Sequence, residues 1–209
     1  MNAIEDRFAP PSPADVVRLI EENPLAWIVS IGAGDFCATL LPLRAITGAH
    51  DRVEKLVGHC ARTNRLVEVL RRDPRAAILF LGPQGYISPS WMRDRTQAPT
   101  WNYASVQFLV EVEFCEDSAL DDMLSDLVGA MEAGRPRAWS PAEMGERYRQ
   151  LARRIIGFHA PVRSSRAKFK LGQDERDDVF ADITRALEEQ GPRELLQWME
   201  RCNPGRPAR

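Results

Sequence analysis

The sequence is poor in cysteine and histidine, and it arranges neither residue type as a metal site. Its four cysteines, Cys37, Cys60, Cys115 and Cys202, lie far apart without a CxxC pair, and its three histidines show no ligand spacing. This pattern argues against a zinc site and is typical of reduced thiols that pack as small apolar side chains. Because reduced thiols are typical of the cytoplasm, we expect a cytoplasmic protein.

The sequence also lacks an excess of charge of either sign and a long hydrophobic run. Its 28 basic residues face 30 acidic ones, and the formal net charge is −2, so no whole-molecule field favours nucleic acid or an anionic membrane. The longest apolar stretch, residues 25–31, is too short to cross a bilayer. Residues 1–8 include Glu5 and Asp6, which argues against a secretory signal. We therefore expect no membrane partner.

Apolar periodicity predicts short strands that alternate irregularly with amphipathic helices. The predicted strands cover residues 27–31, 36–43, 53–57, 76–81, 103–114, 155–158 and 162–171, with turns at 32–35 and 82–85. The predicted helices cover residues 13–23, 62–72, 117–132, 174–189 and 194–202. Because the strands begin as a hairpin and mostly lack β-α-β alternation, the fold class is α+β, mainly β: an antiparallel barrel with flanking helices. We expect one domain over residues 1–202 and a disordered tail over residues 203–209.

The segment from Gly58 to Asn64 is the first of four polar segments that join predicted elements. It follows a strand and opens a helix, and a helix N-terminus offers free N–H groups and a positive dipole end to an anion. Arg62 adds a guanidinium, Thr63 and Asn64 add polar groups at capping positions, and His59 lies beside them. The pattern predicts a phosphate site, with an ordinary helix cap as the alternative.

The second and fourth segments carry polar side chains on extended backbone. In residues 85–91, Ser88 and Ser90 are hydroxyl donors around a proline, which suits the wall of a ligand pocket or a loop that covers the barrel end. In the fourth segment, Lys168 and Lys170 alternate and so share one strand face. That face would help to hold an anionic ligand, or it is a solvated edge protected by lysine.

The third segment, residues 99–103, places two aromatic rings on either side of an amide. A planar heterocycle could pack against Trp101 or Tyr103. The Asn102 amide offers both a donor and an acceptor, which suits the imide edge of such a ring. The alternative is the start of a strand whose aromatic side chains lie in the core.

Taken together, the four segments resemble one known family in order and spacing. The motifs are Gly58-His59-x-Ala61-Arg62-x-Asn64, Gly85-Tyr86-x-Ser88-Pro89-Ser90-Trp91, Pro99-Thr100-Trp101-Asn102-Tyr103 and Lys168-x-Lys170-Leu171-x-Gln173. They resemble the PaiB-type FMN-binding negative transcriptional regulators over about residues 8–190. The resemblance implies a pyridoxamine-phosphate-oxidase-like split barrel, usually a homodimer with two FMN sites at the subunit interface.

The resemblance also implies a role for each candidate residue. The phosphate would be held by Arg62, Thr63 and Asn64, with His59 nearby. The strand over residues 37–41 would run its backbone along the isoalloxazine. The flavin pocket would be lined and closed by residues of the later segments, namely Trp101, Asn102, Tyr103, Lys170 and Gln173. Met92 and Gly172 stand where the family usually has tyrosine and serine, which removes two hydroxyls from the implied site.

Three functions remain open from the sequence. The family implies an FMN-binding regulator, but no helix-turn-helix pair or basic stripe is found, and the pairs Arg71-Arg72 and Arg153-Arg154 fit solvated helix faces, which argues against direct DNA contact. A flavin-dependent oxidoreductase that uses a small molecule or NAD(P)H is the alternative. No catalytic residue is assigned for it, and His59 and Tyr103 would be tested first. The third is a degenerate barrel that serves as a binding module.

Overall fold

The computed structural model describes residues 7–32, 36–116 and 120–206. Its strands are β1 (Leu25–Ser30), β2 (Ala38–Thr47), β3 (Val53–Ala61), β4 (Arg75–Ile87), β5 (Thr100–Glu111), β6 (Glu113–Phe114) and β7 (Ile155–Lys170). Its helices are α1 (Pro13–Glu22), α2 (Arg65–Arg72), α3 (Leu120–Glu132), α4 (Glu146–Ala152), α5 (Asp177–Gln190) and α6 (Arg193–Cys202). Short 3₁₀ turns lie at Ala49–Asp51, Pro89–Trp91 and Pro141–Met144.

Within these residues, the strands form one closed antiparallel barrel. Neighbouring strands follow the order β3-β2-β1-β4-β5-β7, and β3 also pairs with β7, so the six-stranded sheet closes on itself. The short strand β6 pairs with β7 outside this ring. The predicted antiparallel barrel with flanking helices is confirmed.

The described chain divides into two compact units. One comprises residues 7–19, 81–106 and 166–206, and the other comprises residues 20–80 and 107–165. We call them the helical unit and the barrel unit, after their main elements. Strands β4, β5 and β7 contribute residues to both.

The core of the barrel unit follows from period-two alternation along its strands. Inward-facing side chains that are almost fully buried include Ile28, Leu43, Leu56, Phe80, Phe108 and Phe158. Phe80 and Phe108 meet edge to face with ring centroids 6.1 Å apart. Helix α2 buries the apolar stripe Leu66, Val67, Val69 and Leu70 and ends before Pro74. Helix α3 lies against the outside of the barrel at Gly157, where an added Cβ would be 2.9 Å from the sulfur of Met123.

In the helical unit, α5 and α6 pack on an apolar centre, and three carboxylates join its segments. Phe169 and Trp198 make an edge-to-face pair at 5.5 Å. Buried Asp182 accepts hydrogen bonds from Arg93 and Arg185, and buried Asp15 pairs with Arg201. Asp94 pairs with Arg176 at the start of α5. Each buried carboxylate is therefore compensated by guanidinium donors, as burial of a charge requires.

Two strands are longer than the sequence pattern predicts. Strand β3 continues to Ala61 because β7 pairs with it up to Ala61↔Ile155, a partner 94 residues away that no local pattern reveals. Gly58 therefore lies within a strand and not in a turn; an added Cβ there would be 2.5 Å from Leu43 Cδ2, so the glycine is needed for packing. The predicted turn at residues 82–85 is also wrong, because β4 runs through it with Gly82 and Pro83 buried.

The ends of several predicted elements also differ from the structure. Residues 155–170 form a single strand through Pro161, where two strands were predicted. The predicted turn at residues 33–35 and the predicted first turn of the helix at residues 117–119 lie outside the described residues. Residues 203–206 form a turn in which Asn203 donates to the carbonyls of Leu171 and Met199, and Arg206 donates to those of Gly172 and Glu175. Residues 207–209 of the tail predicted to be disordered lie outside the described residues.

Among the helices that the structure describes, none combines the length and the apolar character needed to span a membrane.

Candidate functional site

The turn between β3 and α2 is built by Arg62, Thr63 and Asn64 in the barrel unit. The backbone N–H of Arg62 donates to the carbonyl of Arg154 at 2.9 Å, and its Nε donates to the carbonyl of Arg153 at 3.1 Å. These two bonds fix the turn against the end of α4. Thr63 is exposed at the tip. The turn thus presents a guanidinium and a hydroxyl next to the N-terminus of α2.

Asn64 is the N-cap of α2. Its Oδ1 accepts the backbone N–H of Leu66 at 2.9 Å and the hydroxyl of Thr39 at 3.3 Å. The helix therefore begins at Arg65, three residues later than predicted, because an Asn in extended conformation is a strong start signal. The phosphate and cap interpretations of Asn64 are compatible, since the cap uses the amide oxygen, whereas a phosphate would accept a hydrogen bond from the amide nitrogen.

A cleft of about 490 Å³ lies along α2 and the turn before it. It is lined by Arg62, Thr63, Asn64, Arg65, Val67, Glu68, Arg71 and Arg72. The lining contains four guanidiniums and one carboxylate, that of Glu68, which pairs with Arg72. The cleft lining is therefore strongly cationic. Guanidiniums, a hydroxyl and the positive end of a helix are the donors that a phosphate group requires, so this donor set fits the phosphate of FMN.

Three of these arginines were not among the predicted site residues. Arg65, Glu68 and Arg72 are spaced by three and four residues, which places them on one face of a helix. That spacing was available in the sequence. Arg71 and Arg72 are exposed on this helix, as predicted, and they also line the cleft with Arg62.

His59 does not line this cleft. The residues on either side of it in β3, Gly58 and Cys60, are buried, so alternation places His59 on the outside of the barrel, opposite Gly157 of β7. Its Nδ1 is buried and, within the described residues, has no hydrogen-bond partner. Burial lowers the pKa of His59 below its usual 6.5. A neutral imidazole beneath α3 is poorly suited to hold a phosphate.

In the helical unit, Ser88 and Ser90 are hydrogen-bonded to each other. Ser88 is the N-cap of the 3₁₀ turn and accepts the N–H of Ser90 at 3.2 Å, and the two hydroxyl oxygens are 2.7 Å apart. Ser90 is exposed and Ser88 is partly exposed. Ser88 therefore shapes the turn, and Ser90 is the serine that faces solvent.

The third segment presents Trp101 to solvent and buries Asn102. Trp101 is 54% exposed and meets the exposed Tyr86 edge to face at 6.0 Å. Asn102 is fully buried, with its Nδ2 3.5 Å from the sulfur of Met199. It shares the inward face of β5 with Ala104. Its Oδ1 is buried and has no hydrogen-bond partner within the described residues, and the pairing of this amide with an imide edge stays a prediction.

The two lysines of the fourth segment contact residues at the entry of β5. Lys168 Nζ lies 5.9 Å from the centre of the Tyr103 ring and 5.7 Å from that of Phe8, so it makes cation–π contacts with both rings. Lys170 Nζ donates to Thr100 Oγ1 at 2.7 Å and to the Trp101 carbonyl at 3.2 Å. Both lysines therefore support the entry of β5.

Gln173 closes the turn after β7 with both ends of its amide. Its Oε1 accepts the N–H of Leu171 at 2.7 Å, and its Nε2 donates to the Phe169 carbonyl at 2.6 Å. Gly172 in this turn has a φ of +88° and lies against Phe180 and Met199. Gln173 is thus occupied by its own backbone, and serine at position 172 would be strained.

Met92, the other departure from the family pattern, is also buried, at 4% exposure. The two hydroxyls missing at Met92 and Gly172 therefore belong to packed positions of the helical unit. No group of three or more metal-binding side chains is found in the described parts of the chain. Burial raises the pKa of Cys60 to about 11 and that of Cys202 to about 12, so neither thiol is a nucleophile at neutral pH.

The candidate residues accordingly divide between the two units. The barrel unit brings together Arg62, Thr63 and Asn64, as predicted, and adds the arginines of α2. The helical unit brings together Trp101, Tyr103 and Lys170 at the entry of β5, with Ser88 and Ser90 in the preceding turn. Asn102 and Gln173 point into the packing of that unit.

Comparisons with known proteins agree with the predicted family. A family model described as "Putative FMN-binding domain" matches residues 3–164. The protease synthase and sporulation protein PAI 2 of Bacillus subtilis is 26% identical over 191 residues, which cover 89% of this chain and 90% of that protein. An uncharacterized protein of Saccharomyces cerevisiae is 32% identical over 121 residues, which cover 54% of this chain and 69% of that protein.

Among solved structures, the FAD and heme binding protein from Mycobacterium smegmatis has the same fold. It is 18% identical, with a TM-score of 0.59, and the match covers 82% of this chain and 78% of that one. At this identity the similarity extends to the fold alone. The family model covers most of the chain, and this chain therefore belongs to the FMN-binding family and is an FMN-binding split-barrel protein similar to PaiB.

Proposed function

We propose that this FMN-binding chain acts as a homodimeric regulator of the PaiB type and holds the FMN phosphate in the cleft along α2. The observation that carries the proposal is the arginine-lined cleft at Arg62 and Arg65, next to the N-terminus of α2. A dianionic phosphate there would be neutralised by guanidiniums and by the helix dipole. Thr63 would add a hydroxyl donor. The cytoplasmic location predicted from reduced thiols is part of this proposal.

For the flavin ring, we propose the exposed aromatic side chains at the entry of β5, contributed by the second copy of the homodimer. Trp101 presents most of its ring to solvent, and Tyr103 is partly exposed beside Lys168. Lys170, which fixes the Trp101 carbonyl, would position this ring, and Ser90 would supply a hydroxyl. Asn102 and Gln173 have structural roles in this proposal, because their amides are buried or bonded to backbone.

A homodimer is supported by apolar side chains on the outer face of the barrel. Trp27 of β1 lies directly opposite Leu40 of β2 on one side and Leu79 of β4 on the other. The three side chains are 46%, 42% and 38% exposed. A contiguous ladder of large apolar side chains on a sheet face is typical of a protein interface, and the family resemblance makes a second copy the expected occupant.

The alternative function, a flavin-dependent oxidoreductase, is less well supported. When bound, FMN would supply redox chemistry, and the protein would need a positioned proton donor or acceptor. His59 lies under α3, outside the cleft, and Tyr103 is covered by Lys168 on one face. Bleaching of the flavin absorbance by NAD(P)H, with turnover, would establish the enzyme in place of the regulator.

The phosphate assignment is tested by replacing Arg62 with alanine. We expect Arg62→Ala to weaken FMN binding by roughly 1.5–3 kcal/mol, because a charge-assisted bond to phosphate is lost. The matched control is Arg163→Ala, which removes an exposed arginine paired with Glu111 and should leave FMN affinity unchanged. Both are measured by titration of flavin fluorescence. An Arg62→Ala protein that binds FMN as tightly as the wild type would contradict the assignment.

A further inference from the structure

The fold brings both arginine pairs, which looked separate in the sequence, close to Arg62. Arg71 and Arg72 line the α2 cleft together with Arg62. Arg153 and Arg154 supply the carbonyls that accept the Nε and the N–H of Arg62. The pairs are 82 residues apart in the chain, so only the fold reveals that they lie near one residue.

This surface is exposed, and within the described residues its cleft lining carries four guanidiniums and one carboxylate. Arg71, Arg72, Arg153 and Arg154 are all exposed, as is Arg65 in the same cleft. Glu68, paired with Arg72, is the carboxylate among the cleft-lining residues. A chain whose net charge is −2 therefore concentrates guanidiniums at one corner. Salt screens charges that lie more than about 10 Å away, so distant acidic residues do not cancel the field of these guanidiniums. The surface can therefore attract a polyanion although the net charge of the chain is negative.

The side chains of this surface fit a phosphate backbone better than they fit bases or lipid. The cleft-lining residues include no aromatic ring on which an unpaired base could stack, which single-strand binding requires. The nearby Phe114 ring is covered by the Arg71 guanidinium at 5.7 Å. The one apolar cleft residue, Val67, is buried, so the surface offers nothing to insert into a membrane.

We propose that the arginine surface formed by Arg71, Arg72, Arg153 and Arg154 around Arg62 binds the phosphate backbone of duplex DNA. The inference rests on the proposed regulatory function, to which it adds a partner and a place. Contacts of this kind fix a protein on the duplex without reading its sequence. The sequence argued against direct DNA contact because it showed two short arginine pairs and no stripe.

The test compares the salt dependence of binding in FMN-saturated proteins. The probe is a mixed-sequence DNA duplex several helical turns long. Its binding is measured by fluorescence anisotropy from low to physiological salt. The variant is R153Q with R154Q, which keeps the backbone carbonyls that bond Arg62. Loss of two phosphate contacts should reduce the slope of log affinity against log salt by about 2. R153K with R154K, which keeps the charges, should retain the wild-type slope.

The matched control removes two other exposed arginines, as R163Q with R166Q. Arg163 is nine residues beyond Arg154, about 30 Å along β7 at ~3.3 Å per residue. This control should keep the wild-type slope. The proposal is overturned if the wild type does not bind the duplex at low salt, if both double variants change the slope equally, or if anionic phospholipid vesicles are bound and DNA is not.

FMN titration separates this inference from the proposed function. If R153Q with R154Q binds FMN normally and loses the salt slope, the DNA surface is supported. If the variant instead loses FMN, the two arginines belong to the flavin site and the DNA inference fails. If every protein binds DNA alike but Arg62→Ala still weakens FMN, the flavin assignment stands without the DNA surface.

Discussion

Asn64 has two roles that a single substitution can separate. Its amide oxygen caps α2 by accepting the N–H of Leu66, and its position in the turn places it at the mouth of an arginine-lined cleft. Aspartate caps helices as well as asparagine does, but it brings a negative charge. Capping of α2 needs only the side-chain oxygen, whereas anion binding in the cleft also depends on the charge of the side chain at position 64.

We expect Asn64→Asp to keep the stability of the fold and to weaken FMN binding. The carboxylate would still cap α2, and it would repel the phosphate that we place beside Arg62 and Arg65. Asn64→Ala, by contrast, should lower the free energy of unfolding by about 1 kcal/mol because the cap is lost. Urea denaturation and FMN titration measure the two effects. Wild-type FMN affinity in a stable Asn64→Asp protein would place the phosphate elsewhere.

At the scale of single residues, the sequence identifies polar side chains but not where they point. Arg62 and Asn64 lie where their motif predicts, because helix start signals are local. Asn102 points into the core, since the alternation of β5 decides its side. Gln173 turns back to its own backbone, since Gly172 at positive φ makes a tight turn. Polar type alone cannot distinguish a ligand contact from a structural hydrogen bond.

At the scale of elements, two imidazoles lie on the outer face of β3 and β7, where α3 packs against Gly157. His59 pairs in register with Gly157, and His159 is two residues further along the same face of β7. Both Nδ1 atoms are buried without a partner in the described residues. Burial lowers the pKa of each; for His159, Lys55 lowers it further and Glu113 opposes. The folded chain therefore prefers both rings neutral.

The stability of the fold should consequently fall as pH decreases below about 6.5. The unfolded chain binds protons with a histidine pKa near 6.5, whereas the folded His59 has a lower pKa, so unfolding takes up a proton in that window. His59→Asn and His159→Asn should each reduce this pH dependence. His50→Asn is the matched control, because His50 is exposed at a φ of 58° that asparagine tolerates. Urea denaturation from about pH 7.5 to about pH 5.5 measures it.

The pH test would fail if His50→Asn changed the slope as much as His59→Asn. Equal slopes in all variants would mean that carboxylates govern the acid response of the fold. Asp94, whose pKa is lowered by its hydrogen bonds from Thr96 and by Arg176, is the group to replace next in that case, because a carboxylate with a lowered pKa loses its contribution to stability as pH falls, and Asp94→Asn should then reduce the dependence.

Some helices and strands of this fold follow from local sequence patterns, and others do not. Strand β5 was predictable because alternate residues such as Val106 and Phe108 face one core, and α2 was predictable from its apolar stripe. The extension of β3 to Ala61 was not, because it depends on pairing with Ile155 far along the chain. The extension of β4 through Gly82 was not either, because glycine and proline usually signal a turn. Local rules fail where a distant strand supplies the hydrogen bonds.

At the scale of the whole molecule, surface composition is uneven in both charge and polarity. A balanced total of charges conceals the arginines around Arg62, and an ordinary share of hydrophobic residues conceals the apolar face of the barrel. On that face, Trp27, Leu40 and Leu79 are cross-strand neighbours. A single partner can cover neighbouring apolar side chains all at once, so a contiguous face favours association more than the same residues would if scattered.

A charge at the centre of this face should therefore dissociate the dimer that we propose. We expect Trp27→Lys to be monomeric by light scattering, because a buried unpaired ammonium at an interface is costly. Trp139→Lys is the matched control, since Trp139 is similarly exposed, at 40%, and is not part of the ladder; it should stay dimeric. Thermal unfolding of both proteins would verify that each remains folded. Two results would refute this interface. One is a wild-type protein that is monomeric when saturated with FMN, and the other is a Trp27→Lys protein that is folded and still dimeric.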